Sequence, residues 1–412
     1  PDPRGRLPNS VLSVEEARGR LLGMAPEPRI ETVLLADALG RALAVAVIQA
    51  PVDVPPFANA AMDGFAVRAA DLPGRLRMAG EVAAGAAEWP SLEPGAAIRI
   101  STGAPLPRGA DAVVPLERVT EEDEFIGVTE TIPAGSDVRV VGHDTRAGEA
   151  VHLPNPLTPA GIGVLASLGV GDVAVWARPR VAVLSSGEEL VAPGTSLQPG
   201  QIYDANEPSL AAAVSEAGGE PVLRGHVGDD PDAVAQGLTE AAADADVVLT
   251  SGGVSVGRHD HIRGAIERLG RLDFWRIAMQ PGKPLAVGVV NGRTVIGLPG
   301  NPVSALVVTE LLVRPLIRAA LGLAGDGRLH VRAVLDEDLR KDPERTAYLR
   351  VRVRQTDAGW AAHPAGGQLS SQLRALAAAN GLLVVPTGEP AGRAGHPYET
   401  ILLGEPDPAE NR

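Results

Sequence analysis

Two glycine-rich segments of the chain could bind an anion. The first, Asp246-Val-Val-Leu-Thr-Ser-Gly-Gly-Val-Ser-Val-Gly257, joins an apolar strand-like run at 247–250 to a glycine loop, and helical periodicity follows Asp260. The second is Val295-Ile-Gly-Leu-Pro-Gly-Asn-Pro-Val303. A strand, a glycine loop and a helix in that order bring backbone N–H groups and the positive end of the helix to one place. The pattern predicts a phosphate or oxyanion ligand, although tight packing of strand on helix would select the same glycines.

Charged side chains stand beside these loops. Lys283 lies in the stiff turn Pro281-Gly-Lys-Pro284, and it is one of only two lysines among 37 basic residues. Stiff flanks lower the entropy cost of aiming its ammonium group, which favours an anion contact. Asp260 would repel a phosphate unless a divalent cation lay between them, so a bridging Mg²⁺ is predicted, with a helix-terminal Asp as an even alternative. The second lysine, Lys341, is predicted to be solvated.

Other polar residues follow neighbouring predicted strands. Ser185-Ser-Gly-Glu-Glu-Leu190 and the pair Asp229-Asp230 fall at strand ends, where α/β sheets collect ligands. Asp230 is predicted to cap the next helix, which leaves Asp229 freer. His259 and His261 flank Asp260, but no third His or Cys is near, so solvent exposure is favoured over a metal site. Arg258 and His259 replace the Lys-Ser/Thr pair of a phosphate-binding P-loop and argue against an NTPase.

Composition limits the class of protein. A chain of 412 residues predicts two to four domains. A net charge of −14 and an aromatic content of 3% argue against nucleic-acid binding. The absence of cysteine excludes disulfides, thiolate metal sites and cysteine nucleophiles. No apolar run spans a membrane and no signal-peptide pattern is present, so we expect no membrane contact and a cytoplasmic location.

Changes in the hydrophobic pattern and in the Pro and Gly content along the chain predict four domains. They are a discontinuous helical linker domain at 8–50 and 143–177, an inserted β-rich module at 51–142, an α/β domain at 178–322 and a C-terminal β domain at 328–412. The linker domain should contain helices at 9–24, with a Ser13–Glu16 capping box, at 35–42 and at 158–169. In the β module, the dipeptide Asp63-Gly64 alone would favour a hairpin turn.

The α/β domain should alternate strands with helices. Strands are predicted near 181–184, 222–223, 247–250, 276–279, 285–290 and 294–297, and helices at 208–217, at 231–243 and from Pro302 onwards. Asn301 should cap this last helix, and Pro315 should bend it. Alternation at 329–335, 347–354 and 382–385 indicates a small β-barrel or sandwich at the C-terminal end.

Five segments occur together in order along the chain. They are Asn-Ala-Ala-Met-Asp-Gly-Phe-Ala (59–66), Ser-Thr-Gly-Ala-Pro (101–105), Ser-Gly-Gly-Val-Ser-Val-Gly (251–257), Pro-Gly-Lys-Pro (281–284) and Gly-Leu-Pro-Gly-Asn-Pro-Val-Ser (297–304). So arranged, they resemble the molybdopterin molybdenumtransferases, the MoeA proteins of bacteria and the E domain of gephyrin. The similarity covers nearly the whole chain.

The resemblance implies a fold, a reaction and partners. The fold would be multidomain α/β plus β, with a central three-layer α/β domain of the molybdopterin-binding type, an inserted β-rich module, a helical linker domain and a C-terminal β-barrel-like domain. Adenylylated molybdopterin and molybdate would give molybdenum cofactor and AMP with Mg²⁺ as cofactor. The protein would be a homodimer whose active cleft is shared between subunits, with transient contact to other cofactor-biosynthesis proteins. Alternatives are an adenylyltransferase-like step or a non-catalytic cofactor-binding or scaffold protein.

Site residues follow from the resemblance by motif match. The implied catalytic set is Asp63, Thr102, Asp144, Glu189, Asp229 (or Asp230), Asp260 and Lys283. The implied ligand-binding set is Ser251, Gly252, Gly253, Ser255, Gly257, Pro299, Gly300, Asn301 and Pro302. Glu189 and Asp260 would place the Mg²⁺. The chain departs from the family at Gln280, where some relatives have lysine, and at 366–371, which only loosely matches a Gly-Ser-His-type segment and leaves the role of the last domain open.

Overall fold

A computed structural model describes residues 11–45, 47–254 and 261–408. The chain divides into two compact units. The smaller unit is Thr32–Val175, and the larger unit is built from the segments on either side of it in sequence, Pro1–Glu31 and Trp176–Arg412. No helix in the described ranges is long and apolar enough to cross a membrane. The four predicted domain boundaries stay predictions.

The larger unit contains a six-stranded α/β sheet. In spatial order its strands are Glu220–Val227, Arg180–Ser186, Val247–Ser251, Arg293–Leu298, Pro284–Val290 and Gly270–Arg276. The first four are parallel and the last two join antiparallel. The central strand Val247–Ser251 is buried along its whole length, as expected for a parallel strand covered on both faces.

Helices cover both faces of this sheet. Helices Pro231–Asp244 and His261–Leu269 pack their apolar faces on one side, with Leu238 and Ile266 in the shared core. The remaining helices of the α/β domain are Asn206–Glu216, Pro302–Val308 and Arg314–Ala320, and the last of these also contacts the N-terminal helix Val14–Leu22. A short parallel pair, Leu190–Val191 with Ile202–Tyr203, completes the domain.

The helix predicted from Pro302 forms in two α-helical parts. A π-helical turn, Thr309–Val313, separates its two α-helical parts. Pro315 has no N–H to donate to the carbonyl four residues earlier, so the regular hydrogen-bond ladder cannot continue through it. Asn301 occupies the N-cap position, as predicted, but its side chain makes no capping hydrogen bond.

The smaller unit is built on a β-sheet. Its six strands are Ala112–Pro115, Gly64–Val67, Ala96–Ile100, Gly74–Val82, Phe125–Val128 and Thr120–Glu122. Short ladders pair Asn59–Ala60 with Val138–Arg139 and Ile48–Gln49 with Ala150–Val151. Strands Ile30–Leu34 and Asp172–Trp176 form another two-stranded sheet. The helix Pro159–Ser167 and the 3₁₀ turns Leu35–Asp37, Ala69–Asp71 and Leu116–Arg118 complete the elements.

Local signals placed the helix ends well, with one failure. Ser13 and Glu16 form the predicted capping box, and Thr158 caps Pro159–Ser167. The helix predicted at 35–42 is wrong, since only the 3₁₀ turn Leu35–Asp37 forms there. Gly40 adopts φ +72°, and its N–H donates to Leu157 O, so the chain turns away before a second helical turn can form.

The C-terminal domain is a closed barrel. Its strands Thr346–Thr356, Gly359–Pro364, His330–Leu335, Pro397–Leu402 and Gly381–Val385 follow one another in the sheet, and the last also pairs with the first. A further ladder joins Leu339–Arg340 to Ala391–Gly392, and one helix, Leu373–Ala378, follows the 366–371 segment. The short strand Met279–Gln280 adds to the barrel. The strand predicted at 276–279 is therefore wrong, because the chain leaves the α/β sheet at Arg276 and joins the barrel at Met279.

Candidate functional site

A cavity of about 640 Å³ lies at the carboxyl edge of the α/β sheet. Three neighbouring strands end here in register, because Ser185 lies opposite Ser251 and Ser251 lies opposite Leu298. The loops that follow these strands therefore meet, as parallel sheets require. The predicted site residues in its wall are Glu189, Asp229, Ser251, Gly252, Gly253, Pro299, Gly300, Asn301 and Pro302. Ser255, Gly257 and Asp260 lie outside the described residues, as does His259.

The glycines of the first loop are required by geometry. Gly252 adopts φ +90° and a Cβ there would lie 2.5 Å from Ser186 O, while Gly253 adopts φ +65° and its Cβ would lie 2.9 Å from Ile262 Cγ1. Backbone N–H of Gly252 donates to Leu298 O at 3.2 Å, which ties the two glycine loops together. Close approach of Ser186 O and packing on Ile262 thus account for Gly252 and Gly253.

The two candidate acids of the third strand end have different positions. Asp230 caps the helix that follows, accepting hydrogen bonds from Asp232 N and Ala233 N at 2.9 and 3.1 Å. Asp229 is half-buried in the cavity wall and accepts a hydrogen bond from Glu188 N at 3.1 Å. Glu189 is exposed in the same wall. Two carboxylates therefore face one cavity, from loops that follow adjacent strands.

A buried asparagine missed by the sequence argument supports the second glycine loop. Asn206 is 6% exposed, and its Nδ2 donates to Gly300 O at 2.7 Å. Asp204 Oδ1 accepts from the N–H groups of Asn206 and Glu207 at 2.9 and 3.0 Å, which fixes the start of their helix. Both Asp204 and Asn206 line the cavity. Their only sequence signal is the Asp-x-Asn-Glu pattern of a helix start.

His261 also lines this cavity and is half-buried, at the first residue of its helix. The prediction that it is solvent-exposed is wrong, because the glycine loop and the Pro284 turn share the wall with it. Among residues 11–45, 47–254 and 261–408, no group of three or more His, Asp or Glu side chains has the arrangement of a metal site.

A second cavity of about 360 Å³ adjoins the first and shares Pro284, Pro299 and Asn301 with it. Lys283, half-buried, lines this second cavity. Arg345 lines it from the barrel domain, so two cations face the same space. Ser304 and Ser370 add hydroxyl groups, and Asp342 pairs with Arg345 at 2.9 Å. Lys283 and Glu189, both in the implied catalytic set, therefore line neighbouring cavities.

The segment 366–371, whose role the sequence left open, contributes to both cavities. Ser371 lines the larger cavity and Ser370 the smaller. Arg350, 1% exposed, holds this segment by donating from Nη2 to Gly367 O and Leu369 O at 2.9 and 3.3 Å. Burial lowers the pKa of Arg350 to about 10.

Lys341 is not solvated, and that prediction is wrong. Lys341 is only 8% exposed, and its Nζ donates to the backbone carbonyls of Asp342 and Arg345 at 3.1 and 2.6 Å. The Asp-Pro-Glu-Arg loop wraps around its ammonium group, which a polar sequence run could not reveal.

In the smaller unit, Asp63 and Thr102 come together. Asp63 Oδ1 accepts from Thr102 N at 2.6 Å and from Thr102 Oγ1 at 2.9 Å, and both residues are exposed. These hydrogen bonds, the backbone one foremost, hold the pKa of Asp63 below its ordinary value. Asp144 is exposed on a turn of the same unit, where its N–H donates to Val54 O at 2.9 Å.

Asp63-Gly64 is not a hairpin turn. The strands on either side of it, Asn59–Ala60 and Gly64–Val67, pair with different partners. Gly64 is required because a Cβ there would lie 2.1 Å from Val114 O. The motif therefore places an acid at a strand start, close against a neighbouring strand.

Known families match three parts of the chain. They are the MoeA N-terminal region (domain I and II) at residues 12–169, the probable molybdopterin binding domain at 182–319 and the MoeA C-terminal region (domain IV) at 332–403. A molybdopterin molybdenumtransferase 2 of Mycobacterium tuberculosis is 41% identical over 91% of this chain and 95% of its own. A molybdopterin molybdenumtransferase of Nostoc is 39% identical over 87% of this chain and 85% of its own.

A solved structure is similar over the same extent. The crystal structure of a molybdopterin biosynthesis MoeA protein from Pyrococcus horikosii superposes with a TM-score of 0.83 at 35% identity, covering 96% of this chain and 100% of that one. Identity and coverage of this size, in sequence and in structure, show that the chain belongs to the molybdopterin molybdenumtransferase family, the MoeA proteins.

Proposed function

We propose that this chain is a molybdopterin molybdenumtransferase that takes adenylylated molybdopterin and molybdate and forms molybdenum cofactor and AMP. Family membership supports the activity. The observation that carries the proposal in this chain is the pair of adjoining cavities, one lined by glycine loops and carboxylates and the other by two cations. A reaction that joins a nucleotide-linked pterin to an oxyanion needs two such neighbouring subsites.

The larger cavity suits the nucleotide-linked pterin. Its volume of about 640 Å³ lies within the range of small-molecule sites. The strand-end loops at Gly252 and Gly300 leave backbone close to the ligand, and we assign them the phosphates together with Ser251, Ser255, Gly257 and the Pro299–Pro302 turn. A protein with net charge −14 would otherwise repel this ligand, so local N–H groups must supply the attraction.

The smaller cavity suits molybdate. Lys283 and Arg345 supply two positive charges, the second of them paired with Asp342 in the same wall, and Ser304 and Ser370 supply hydroxyl donors to a compact tetrahedral dianion. The walls shared with the larger cavity would bring the oxyanion next to the pterin. Gln280, in the same wall, offers an amide where some relatives offer a second ammonium.

The donor set of the larger cavity fits Mg²⁺. Glu189 and Asp229 present carboxylate oxygens, and Mg²⁺ commonly uses one or two carboxylates and completes its coordination with substrate phosphates and water. We assign Glu189 and Asp260 as its ligands, with Asp229 close by. Bound there, Mg²⁺ would neutralise phosphate charge as the adenylate leaves.

The side chains of this site act by position and charge, with no protein nucleophile. Lys283 and Arg345 would hold the oxyanion and stabilise negative charge on its oxygens, while the glycine loops would fix the phosphates. Asp63, Thr102 and Asp144 belong to the proposed site through the family resemblance. Because the exposed pair Asp63–Thr102 is open to a partner chain, we propose a homodimer with a cleft shared between subunits.

The dimer proposal has its own test. Light scattering should give twice the chain mass. Mixing Asp63→Asn protein with Glu189→Gln protein should restore part of the lost turnover, since exchange of subunits leaves one cleft with neither change. A monomer, or a mixture as inactive as its components, contradicts the shared cleft. The cytoplasmic location and contacts with other cofactor-biosynthesis proteins stay predictions.

AMP release tests the reaction. The purified protein is incubated with adenylylated molybdopterin, molybdate and Mg²⁺, and AMP is measured with and without molybdate. AMP and molybdenum cofactor should appear together, and Asp260→Ala should abolish both while Asp244→Asn, an exposed acid on a helix, leaves them unchanged. Binding without AMP would indicate a carrier or scaffold, and consumption of ATP with free molybdopterin would indicate the adenylyltransferase-like alternative.

A further inference from the structure

Lys341 is one of two lysines in a chain whose 37 basic residues are otherwise arginine. It is buried, whereas its neighbour Arg340 is exposed. Burial disfavours an ammonium group unless its hydrogen-bonding capacity is used, and burial lowers the pKa of Lys341. A buried ammonium lowers the free energy of unfolding unless hydrogen bonds offset its loss of hydration. The hydrogen bonds of Lys341 therefore indicate its role in the fold.

The contacts of Lys341 close a loop. Its Nζ donates to Arg345 O at 2.6 Å and to Asp342 O at 3.1 Å, so one ammonium spans the loop 342–345. The ammonium is a compact point charge with three donors, so one atom of Lys341 serves both carbonyls. The loop therefore has its shape set from inside by Lys341.

The same loop is held from outside by Gln280. The side-chain Oε1 of Gln280 accepts a hydrogen bond from Asp342 N at 3.0 Å. Met279 and Gln280 also pair as a parallel strand with Thr346 and Ala347, directly after the loop. Because Gln280 begins the segment that carries Lys283, these contacts fix Arg345 in relation to Lys283. The two cations of the smaller cavity thus come from different domains but share one rigid attachment.

We infer that Lys341 is a positioning residue that presets Arg345 beside Lys283 for binding the oxyanion substrate. The inference rests on the proposed function of the smaller cavity. Lys341 itself does not line that cavity, and it acts through the backbone carbonyl of Arg345 and the turn that ends there. Presetting the second cation lowers the cost of ordering it when the dianion binds.

Three variants test the inference in the full-length protein. Lys341→Met removes both donors and keeps the length of the side chain. Arg345→Met removes the second cation itself. Arg340→Met removes the neighbouring exposed cation and is the matched control. For each we measure the KM for molybdate, the KM for adenylylated molybdopterin, kcat, calorimetric binding of molybdate alone and the melting temperature.

Lys341→Met should raise the KM for molybdate about tenfold, because misplacing a binding group by about 1 Å costs up to about 100-fold. The KM for adenylylated molybdopterin and kcat at saturating molybdate should stay within about twofold. Molybdate binding measured alone should weaken by the same factor. A lower melting temperature with unchanged molybdate KM would show a purely structural lysine and overturn the inference.

The remaining outcomes separate this inference from the proposed function. If Arg345→Met and Lys283→Ala both leave molybdate binding unchanged, the smaller cavity is not the oxyanion site and the proposed function of that cavity fails. If Arg345→Met weakens binding but Lys341→Met does not, only the positioning role is overturned. Should Lys341→Met fail to fold, Lys341→Gln takes its place, since Lys341 does not line the cavity and the amide keeps a donor in the buried position. An unchanged molybdate KM in that variant would overturn the inference.

Discussion

The carboxylate of Asp63 accepts two hydrogen bonds from Thr102, a residue 39 positions later in the chain. One comes from the backbone N–H at 2.6 Å and the other from the hydroxyl at 2.9 Å. The contact joins the segments 59–66 and 101–105, which the sequence alone related only by their order. It also makes the charge state of Asp63 depend on Thr102.

Replacing Thr102 should therefore change the titration of Asp63. Thr102→Val removes the hydroxyl donor but keeps the larger backbone contribution, so the pKa of Asp63 should rise partway toward its ordinary value. Thr102→Ser, which keeps the hydroxyl, should leave it low. Carbon-detected NMR titration measures both. Because the pKa of Asp63 is lowered in the folded state, its contact with Thr102 stabilises the fold fully at pH values above the ordinary carboxyl pKa. This stabilisation is lost as the pH falls through the lowered pKa. Identical titration curves for the two variants would rule out the hydroxyl contact.

The glycine loop at the larger cavity should not accept a side chain. Gly252→Ala places a Cβ 2.5 Å from Ser186 O at φ +90°, and we expect a loss of about 1–3 kcal/mol in unfolding free energy. Gly264→Ala is the control, since it lies in a helix with nothing within 4 Å, and it should stabilise by up to about 1 kcal/mol. Urea unfolding measures both. Equal stability of the two variants would show that the loop relaxes around the new methyl group.

Asn206 should be needed for the shape of the second glycine loop. Asn206→Ala removes the donor to Gly300 O, and because Gly300 is exposed in the cavity wall the cost should be that of one lost hydrogen bond, about 0.5–1.5 kcal/mol. Gln236→Ala, an exposed change on a neighbouring helix, is the control. We expect lower unfolding free energy and a higher KM for adenylylated molybdopterin in the first variant alone. An unchanged KM would separate Gly300 from ligand binding.

Glu189 should set the dependence of the reaction on Mg²⁺. Glu189→Gln removes one of the carboxylates facing the larger cavity, and loss of one charged ligand should raise the Mg²⁺ concentration for half-maximal activity about tenfold. Asp244→Asn is the charge-matched control. Titration of activity with Mg²⁺ measures the shift. Equal Mg²⁺ dependence in the variant and the parent protein would remove Glu189 from the metal site.

His330 should make the stability of the barrel domain depend on pH. Burial opposes its protonation, but hydrogen bonds at 2.9 Å to Glu399 and Asp326 raise the pKa above the ordinary histidine value. Because the pKa is raised in the folded state, protonated His330 stabilises the fold fully at pH values below the unfolded pKa of about 6.5. This stabilisation is lost as the pH rises through the folded pKa. The ring is partly exposed, so the effect should be within about 1 kcal/mol.

His330→Asn should flatten this part of the pH profile. Melting temperatures measured at steps from about pH 6 to about pH 8 give the comparison. His363→Asn serves as the control, since His363 is an exposed histidine of the same barrel that also contacts an acid, Asp336, at 3.1 Å. The same slope in the parent protein and the His330 variant would assign the pH dependence to other groups.

Much of the α/β domain could be predicted because its signals are local. The strand Val247–Ser251, the cap at Asp230 and the helix Pro231–Asp244 follow from neighbouring residues, and the structure has all three. The helix predicted at 35–42 failed because a tertiary contact of Gly40 with Leu157 ended it. The prediction that Lys341 is solvated failed for a similar reason, since a polar sequence does not reveal that the following loop folds over the lysine side chain.

The sequence by itself determined the order of the motifs, the glycines at strand ends and the near-exclusion of lysine. These features depend on residues close together in the sequence, where the backbone conformation limits which residue types fit. Only the tertiary structure decided that Lys283 shares the smaller cavity with Arg345 and Ser370. Arg345 and Ser370 belong to the barrel domain, tens of residues after Lys283 in the sequence. Their meeting depends on how the barrel packs on the α/β sheet, which no local pattern encodes.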